Sequence, residues 1–213
     1  IYSSSAGHFD PTVMPLVRAW GFSSDTILHQ PTNDSIHTIL KRVGLDLLRM
    51  HRNGDSYSII RSVPKVELDF SAIAKGYGVD LVSNHLQKLG LNNHMVEIGG
   101  EIRCRGKNLK KSAWRIGVER PDETNRSLYG ALALGEMAMA TSGNYRNFRL
   151  DSAGHKVVHT LSPNTGYPVQ SELLSVSVVD TSCARADALA TACMVLGRDG
   201  CLALLNGMYS AEG

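Results

Sequence analysis

The segment "ARADALATACMVLG" (184–197) places a carboxylate and a hydroxyl inside an apolar, alanine-rich stretch. Its composition predicts a helix, and Asp187 and Thr191, four residues apart, then lie on one face of it. A carboxylate and a hydroxyl are hard oxygen ligands, which suit Mg²⁺ or Ca²⁺ and suit zinc poorly. The alternative is structural, because an aspartate favours a helix N-terminus and a threonine can bond back to a carbonyl. Spacing alone leaves both interpretations open.

A second stretch, "ELDFSAIAKGYGVD" (67–80), predicts a strand that passes into a helix. Ser71 is placed to cap that helix, whose first amides would attract an anion, and Lys75 adds a charge suited to phosphate. Gly76 and Gly78 each cost ~1 kcal/mol relative to alanine inside a helix. They indicate either close approach of a ligand to the backbone or tight packing on a sheet. Neither a GxxxxGK[ST] loop nor a GxGxxG fingerprint is present.

Two further stretches combine glycine with small polar residues. Gly99 and Gly100 interrupt a strand pattern, which is typical of a bulge, a bend or a ligand lying against the backbone, with the bulge as the default interpretation. The run 141–143 (Thr-Ser-Gly) and His159 are candidates to line a cleft. A lone histidine is nevertheless more often a hydrogen-bonded structural residue than a base.

The elements that must position these groups are short strands with interleaved helices. The predicted helices begin near Pro11, cover 32–44 and 71–89, and include 184–197. The predicted strands cover 47–60 as a hairpin around Asn53-Gly54, 65–71, 94–106 with an interruption at the two glycines, 112–120, 128–143 as two strands, 144–163 as a hairpin around 152–154, and 172–180. Without regular βαβ alternation this order predicts an α+β fold with mixed or antiparallel sheets and packed helices. We expect one domain over residues 1–213.

Composition excludes several classes of function. Hydrophobic residues make up 43%, charged residues 20%, and the formal net charge is +2. This is ordinary globular composition, and it gives no field for nucleic acid or an anionic membrane surface. No apolar run suggests a membrane-spanning helix. Cys193 and Cys201 lie in apolar helical contexts, where we expect small buried hydrophobes rather than a guide to the compartment.

Taken in order along the chain, these stretches resemble the ApbE family of bacterial flavin transferases. "GHFDPTVMPLVRAWGF" is similar to the family's FDPT-x-x-PLV-x-x-WGF segment, and "LDFSAIAKGYGVD" to its DxxxIAKGYxxD segment. "EIGGEIRCRG" resembles the GG-D/E-I motif, and "ATSGNYRNF" followed by "VHTLSPNTGYPV" resembles TSGxYxxF and SHIIDPxTGxP. "ARADALATACMVLG" resembles the ADALATAxxVLG end of a strand-helix unit.

The resemblance implies a fold related to the T-fold and a magnesium-dependent transferase. It would pass FMN from FAD to a threonine or serine hydroxyl of a target flavoprotein and release AMP. Metal ligands carry over onto Asp187 and Thr191, with backbone oxygen from Ala72 and Ala190. Contacts to the flavin nucleotide carry over onto His8, Phe9, Asp10, Asp69, Lys75, Gly99, Gly100 and Leu161. His159 matches the family histidine that is the candidate base for the acceptor hydroxyl.

The chain also departs from the family pattern. Ser162 stands where the family usually has aspartate, Val158 where it has serine, and His8 where it often has a small residue. Relative to the family we expect an N-terminal segment and a last C-terminal strand to be missing from this sequence. The resemblance further implies an extracytoplasmic lipoprotein on the periplasmic side of the inner membrane, attached only through a lipid anchor outside this chain.

Two alternatives remain beside FMN transfer. With water in place of the acceptor hydroxyl, the same site would be a magnesium-dependent FAD pyrophosphatase that yields FMN and AMP. From a different class, the chain would be a non-catalytic FAD-binding protein.

Overall fold

The computed structural model describes residues 1–23, 30–122, 125, 127–145, 148–150 and 154–209. The helices are α1 (Met14–Ala19), α2 (Asn33–Leu40), α3 (Ala74–Lys88) and α4 (Cys183–Tyr209), with a 3-10 turn at Leu45–Leu47. The strands are β1 (Leu48–Asn53), β2 (Ser56–Arg61), β3 (His94–Ile98), β4 (Glu101–Arg105), β5 (Trp114–Glu119), β6 (Leu128–Leu134), β7 (Ala138–Gly143), β8 (Phe148–Leu150), β9 (Lys156–Val158) and β10 (Ser175–Asp180). The predicted α+β class is confirmed.

A four-stranded antiparallel sheet with the order β10-β7-β4-β3 forms the centre of the fold. Helices α3 and α4 pack together on one face of this sheet. The β5–β6 ribbon covers the other face, where Ile116 and Leu134 pack against Ile102, Cys104 and Met139. The strands of the sheet contact both the helices and the ribbon, because successive side chains of β4 and β7 point to opposite faces. The result is three layers.

Three two-stranded ribbons complete the fold: β1–β2, β5–β6 and β8–β9. The predicted hairpin around Asn53-Gly54 is confirmed, with Asn53 paired to Ser56 and Gly54 at a φ of 60°. The predicted pairing of β8 with β9 is also confirmed, although residues 151–153 of its turn lie outside the described residues.

Asp80 joins the two helices of the helical layer. Its carboxylate accepts hydrogen bonds from the Cys183 and Ala184 amides and from the Ser182 hydroxyl, which caps the start of α4. It also pairs with Arg103 of β4. One buried aspartate on α3 therefore ties the N-terminus of α4 to the sheet, as expected where a carboxylate meets free amides at a helix N-terminus.

Helix α4 breaks at Gly197, whose φ of 73° and ψ of 179° are not helical. The break brings Cys193 and Cys201 to a Cα–Cα distance of 4.5 Å, and they form a disulfide. Along an unbroken helix, eight residues would separate these Cα atoms by about 12 Å. The expectation of two unpaired cysteines is therefore wrong, and the two unpaired cysteines are the buried Cys104 and Cys183.

The expectation that no apolar segment could span a membrane also needs correction. By length and composition alone, α4 would be long and apolar enough to cross one. This is weak evidence, because core helices have the same composition. Here the helix is broken at Gly197 and packs against β7 and β10, with Leu189 and Ala190 fully buried in that contact.

Three local predictions are wrong in their boundaries or type. Residues 66–70, all described, have no regular secondary structure instead of forming a strand; the Asp69 amide bonds the Pro11 carbonyl. Gly99 and Gly100 form a two-residue hairpin turn rather than a bulge, with φ values of 60° and 99°. Positive φ at both positions is the geometry that such turns need. Helix α2 ends at Leu40, four residues before Gly44.

The pKa of Asp80 lies below its ordinary value of 3.8. Burial is the largest single influence and raises this pKa, but the hydrogen bonds from Ala184, Cys183, Arg103 and Ser182 together outweigh it. A lowered pKa stabilises the fold fully above the ordinary value. That stability is lost as the pH falls below 3.8 towards the folded-state pKa.

We predict that Asp80→Asn lowers the free energy of unfolding by about 3 kcal/mol at neutral pH, because it leaves the charge of Arg103 buried without its partner. Asparagine does not titrate, so the difference between wild type and variant should shrink as the pH falls below 3.8. Urea unfolding at a series of pH values measures both effects. A difference that stays constant over this range would contradict the assignment.

Candidate functional site

A cavity of about 680 Å³ opens where the N-terminal loop, the start of α3, the β3–β4 turn and α4 meet. Many of the residues predicted from the sequence line it: His8, Phe9, Asp10, Asp69, Ala72, Lys75, Gly99, His159, Leu161, Asp187 and Thr191. Chemically useful groups from segments far apart in the chain therefore share one concave surface, which is the usual form of a small-molecule site.

Gly100 and Ala190 do not line the cavity. Gly100 is exposed in the β3–β4 turn, and the Ala190 side chain is fully buried in the core between α4 and the sheet. Gly100 and Ala190 thus differ in their surroundings from the residues beside them in sequence, because successive residues of a turn or a helix point in different directions. The contact predicted for Gly100 and the backbone oxygen predicted for Ala190 stay predictions, since burial of a side chain does not test a carbonyl ligand.

Asp187 and Thr191 face the cavity from the first half of α4, as their spacing predicts. Asp187 is buried, and its Oδ2 accepts a 3.1 Å hydrogen bond from the Gly76 amide. The Thr191 hydroxyl lies 3.2 Å from the Ser142 hydroxyl of β7. Burial raises the pKa of Asp187, while the Gly76 amide and the charge of Lys75 act to lower it.

The contact between Gly76 and α4 requires glycine. A Cβ at position 76 would lie 2.4 Å from the Cys183 carbonyl oxygen and 2.7 Å from its carbon. The sequence left open whether Gly76 and Gly78 serve helix packing or a ligand. In the structure Gly76 serves helix packing, and this packing brings the Gly76 amide to Asp187.

Lys75 and Glu101 form the charged wall of the cavity. The Lys75 Nζ lies 2.8 Å from Glu101 Oε1, and the Glu101 side chain is only 2% exposed. Burial raises the pKa of Glu101; Lys75 acts in the opposite direction, and the nearby charge of Asp187 raises it further. One lysine therefore lies among two buried carboxylates, and the cluster favours additional positive charge.

Two predicted residues, Asp10 and Asp69, hold the wall in shape. Asp10 accepts hydrogen bonds from the amide and hydroxyl of Thr12 and from the Leu45 amide. Asp69 accepts both the amide and the hydroxyl of Ser71. Ser71 therefore does not cap α3, contrary to the prediction. The N-cap residue of α3 is Ile73, which makes no side-chain capping bond.

The segment with His159 also lines the cavity. Thr160 donates a 2.6 Å hydrogen bond to the Asn144 side chain, and Leu161 pairs with Pro168. Ser162, where aspartate is usual in the family pattern, accepts a hydrogen bond from the Thr165 amide. Because a serine hydroxyl can take the place of an aspartate in such a turn, this departure leaves the wall intact.

Sequence reasoning missed Glu101 and Arg149, which also line the cavity, whereas the run 141–143 lines it as predicted. Glu101 carried a usable signal, since it is a charged residue that directly follows the double glycine of a strand pattern. Ser142 was noted only as part of a small polar run. Its hydrogen bond to Thr191 links β7 to α4, and no local pattern encodes such a contact.

The fold and the cavity together define an α+β domain whose cavity joins hard oxygen groups, a lysine and apolar walls, as a site for a phosphorylated ligand requires. A family model described as the ApbE family matches residues 1–212, so the chain belongs to the ApbE family. The resemblance drawn from the motifs is confirmed.

Similar proteins agree with this assignment. The chain is 39% identical over 207 residues to a FAD:protein FMN transferase of Vibrio cholerae, covering 97% of this chain and 59% of that protein. Its fold is similar to the flavin transferase ApbE structure from Vibrio cholerae, with a TM-score of 0.84 and 36% identity over 97% of this chain and 64% of that one. The fold is also similar to the ApbE protein structure from Thermotoga maritima, with a TM-score of 0.86 and 30% sequence identity. That match covers 98% of this chain and 66% of the other. The chain spans less than two-thirds of each of these proteins.

We predict that Gly76→Ala lowers the free energy of unfolding by about 2 kcal/mol or more, because its Cβ meets backbone atoms that cannot move independently. Gly78→Ala on the same helix is the matched control. Its Cβ meets only the Ile98 Cδ1, at 3.3 Å. The gain in helix propensity, up to ~1 kcal/mol, should leave its stability unchanged or raised. Equal stability losses in the two variants, measured by urea unfolding, would refute the packing role of Gly76.

Proposed function

We propose that this chain carries the magnesium-dependent transfer of FMN from FAD to a threonine or serine hydroxyl of a target flavoprotein, with release of AMP. The relatives named FAD:protein FMN transferase support the reaction. The observation that carries the proposal for this chain is the cavity shared by Asp187, Thr191, Lys75 and His159. These groups come from three segments, which are α3, the segment with His159 and α4, yet they meet on one surface.

The oxygen groups around Asp187 fit a magnesium ion. Within the described part of the chain, no group of three or more His, Cys, Asp or Glu side chains is assembled for a metal. Magnesium does not need such a cage, because proteins commonly bind it through one or two carboxylates together with substrate phosphates and water. We assign the Asp187 carboxylate, the Thr191 hydroxyl and the Ala72 carbonyl as its protein ligands, and we leave out Ala190, which does not line the cavity.

The remaining groups suit the two halves of a dinucleotide. Phe9, Phe22 and Leu161 provide apolar wall, suited to an aromatic ring system. Lys75 offers its ammonium at the same wall as Asp187, where the pyrophosphate would lie. His8 lines the cavity with its Nδ1 bonded at 2.7 Å to the Ser5 carbonyl, which fixes the orientation of the ring.

The reaction needs positioning and charge stabilisation more than covalent participation of the protein. The acceptor oxygen forms a bond to the phosphorus of the FMN half, and the bond from that phosphorus to the AMP half breaks. His159 accepts the proton of the acceptor hydroxyl, and AMP leaves with the electron pair of the broken bond. Bound Mg²⁺ supplies positive charge to the pyrophosphate oxygens. Lys75 adds a second positive charge to the same group.

We also propose that the protein works outside the cytoplasm. The support from this chain is the Cys193–Cys201 disulfide, since disulfides form and persist in oxidising compartments and are rare in the cytosol. Cysteine spacing gave no such indication, because the pairing depends on the break in α4.

The decisive experiment follows AMP release and covalent flavin fluorescence after incubation with FAD and Mg²⁺, with and without an acceptor flavoprotein domain. Release of AMP that depends on the acceptor, together with a fluorescent acceptor, is the expected result. AMP without acceptor would identify a pyrophosphatase instead. Absence of AMP in both mixtures would reject both enzymatic functions in favour of FAD binding alone.

In the same assay, we predict that Asp187→Asn reduces Mg²⁺-dependent AMP release by about 100-fold or more, because it removes the only carboxylate of the assigned metal ligands. Asparagine keeps an oxygen that can accept the Gly76 amide, so the fold should persist. Thermal unfolding provides that control. Undiminished activity of a folded variant would remove Asp187 from the metal site.

A second prediction concerns the cysteines of the exported protein. The chain has four cysteines and two of them are joined, so alkylation in denaturant without reductant should modify two thiols, Cys104 and Cys183. Mass spectrometry of the digested protein identifies the modified sites. Four alkylated thiols in protein recovered from an oxidising compartment would refute the disulfide and remove the support that it gives to the proposed location.

A further inference from the structure

Glu101 is a buried carboxylate whose two oxygens have different surroundings. Its Oε1 pairs with the Lys75 ammonium at 2.8 Å, with the carboxyl side chain 2% exposed. Its Oε2 is buried and, within the described residues, has no hydrogen-bond partner. The same side chain lines the cavity.

This arrangement is unfavourable for stability. Burying a carboxylate oxygen without a partner costs free energy, and an ion pair with a lysine that is 44% exposed returns little of it. Groups retained at a cost to stability are expected at functional positions. A role of Glu101 in the site therefore explains this cost better than a role in the fold.

The β3–β4 turn shows what Glu101 acts on. A Cβ placed on Gly99 would lie 3.2 Å from Lys75 Cδ and 3.7 Å from Glu101 Oε2. The aliphatic stem of Lys75 thus passes over the bare backbone of the turn and ends on the carboxylate that follows it. The turn and Glu101 together hold this lysine at the cavity wall. The long, flexible side chain would otherwise sample many rotamers.

We propose that Glu101 is a positioning residue, which fixes the Lys75 ammonium in the direction of the ligand's phosphates while Gly99 leaves room for the stem. The inference rests on the proposed function only in taking those phosphates to be the pyrophosphate of FAD. Glu101 acts through Lys75, and it needs no contact with the nucleotide.

The first test probes Lys75 without any ligand. A hydrogen-bonded, ion-paired amine reacts slowly with an acylating reagent, so we expect Lys75 to be labelled several-fold faster in Glu101→Gln than in wild type. Peptide mass spectrometry reads this rate, with the exposed Lys107 as internal reference and thermal unfolding as the check of the fold. An unchanged Lys75 rate in a folded Glu101→Gln variant would overturn the proposal.

The turn offers a matched pair for the same measurement. Gly99→Ala and Gly100→Ala both place alanine at positive φ, but a Cβ at Gly100 meets no atom within 4 Å. Both variants should lose some stability through backbone strain. Only Gly99→Ala displaces the Lys75 stem, so only this variant should raise the Lys75 labelling rate. Equal rates in the two variants would contradict the clearance role of Gly99.

A double-mutant cycle separates positioning from direct contact. We expect Glu101→Gln to weaken FAD binding about ten-fold in the wild-type background, within the range for residues of one ion-pair network. In a Lys75→Met background the same change should have no further effect. A full loss in both backgrounds would show that Glu101 contacts the nucleotide itself, and would overturn the positioning role.

The two proposals can fail separately. If wild-type protein neither binds FAD nor releases AMP, the proposed function fails, while the labelling of Lys75 still decides the role of Glu101. If FAD binds and labelling is unaffected by Glu101→Gln, the positioning role fails and the proposed function stands.

Discussion

The first turn of α3 lies directly against the first turn of α4, and the site depends on this contact. Gly76 has no Cβ, which lets its backbone reach the Cys183 carbonyl and its amide reach Asp187. One turn further along the same face of α3, Asp80 accepts the amides that begin α4. Because Asp187 and Thr191 follow Cys183 at helical intervals, fixing this end of α4 also fixes both side chains towards the cavity.

The electrostatics of the cavity follow from the same contact. With α3 held against α4 and the β3–β4 turn beside them, Lys75, Glu101 and Asp187 share one partly buried volume. Two carboxylates and one ammonium leave a negative balance where burial already disfavours charge. A bound cation would relieve this imbalance, so the cluster favours a further positively charged group.

Other parts of the molecule stabilise this geometry from outside the cavity. The sheet carries Arg103 to Asp80 and Ser142 to Thr191, so both helices are held by the strand layer as well as by each other. The Cys193–Cys201 disulfide joins the two halves of α4 just beyond the turns that carry Asp187 and Thr191. Tyr209, in the last turn, bonds to Asp180 at 2.6 Å and fixes the far end of the helix to β10.

The sequence by itself determined the chemical groups of the site and the class of fold. Helical spacing alone places Asp187 and Thr191 on one face, and ordered motifs alone identify the family, because both depend on residues close together in the chain. Only the tertiary structure decided which of these residues meet. It gave Glu101 as the partner of Lys75, separated Gly99 from Gly100, and paired Cys193 with Cys201 across a break at Gly197. It also showed that residues 66–70 do not form a strand. A strand must pair with a neighbouring strand, and a local sequence pattern does not show whether such a partner is present. Contacts between segments far apart in sequence depend on how the layers pack, and that information is spread over the whole chain.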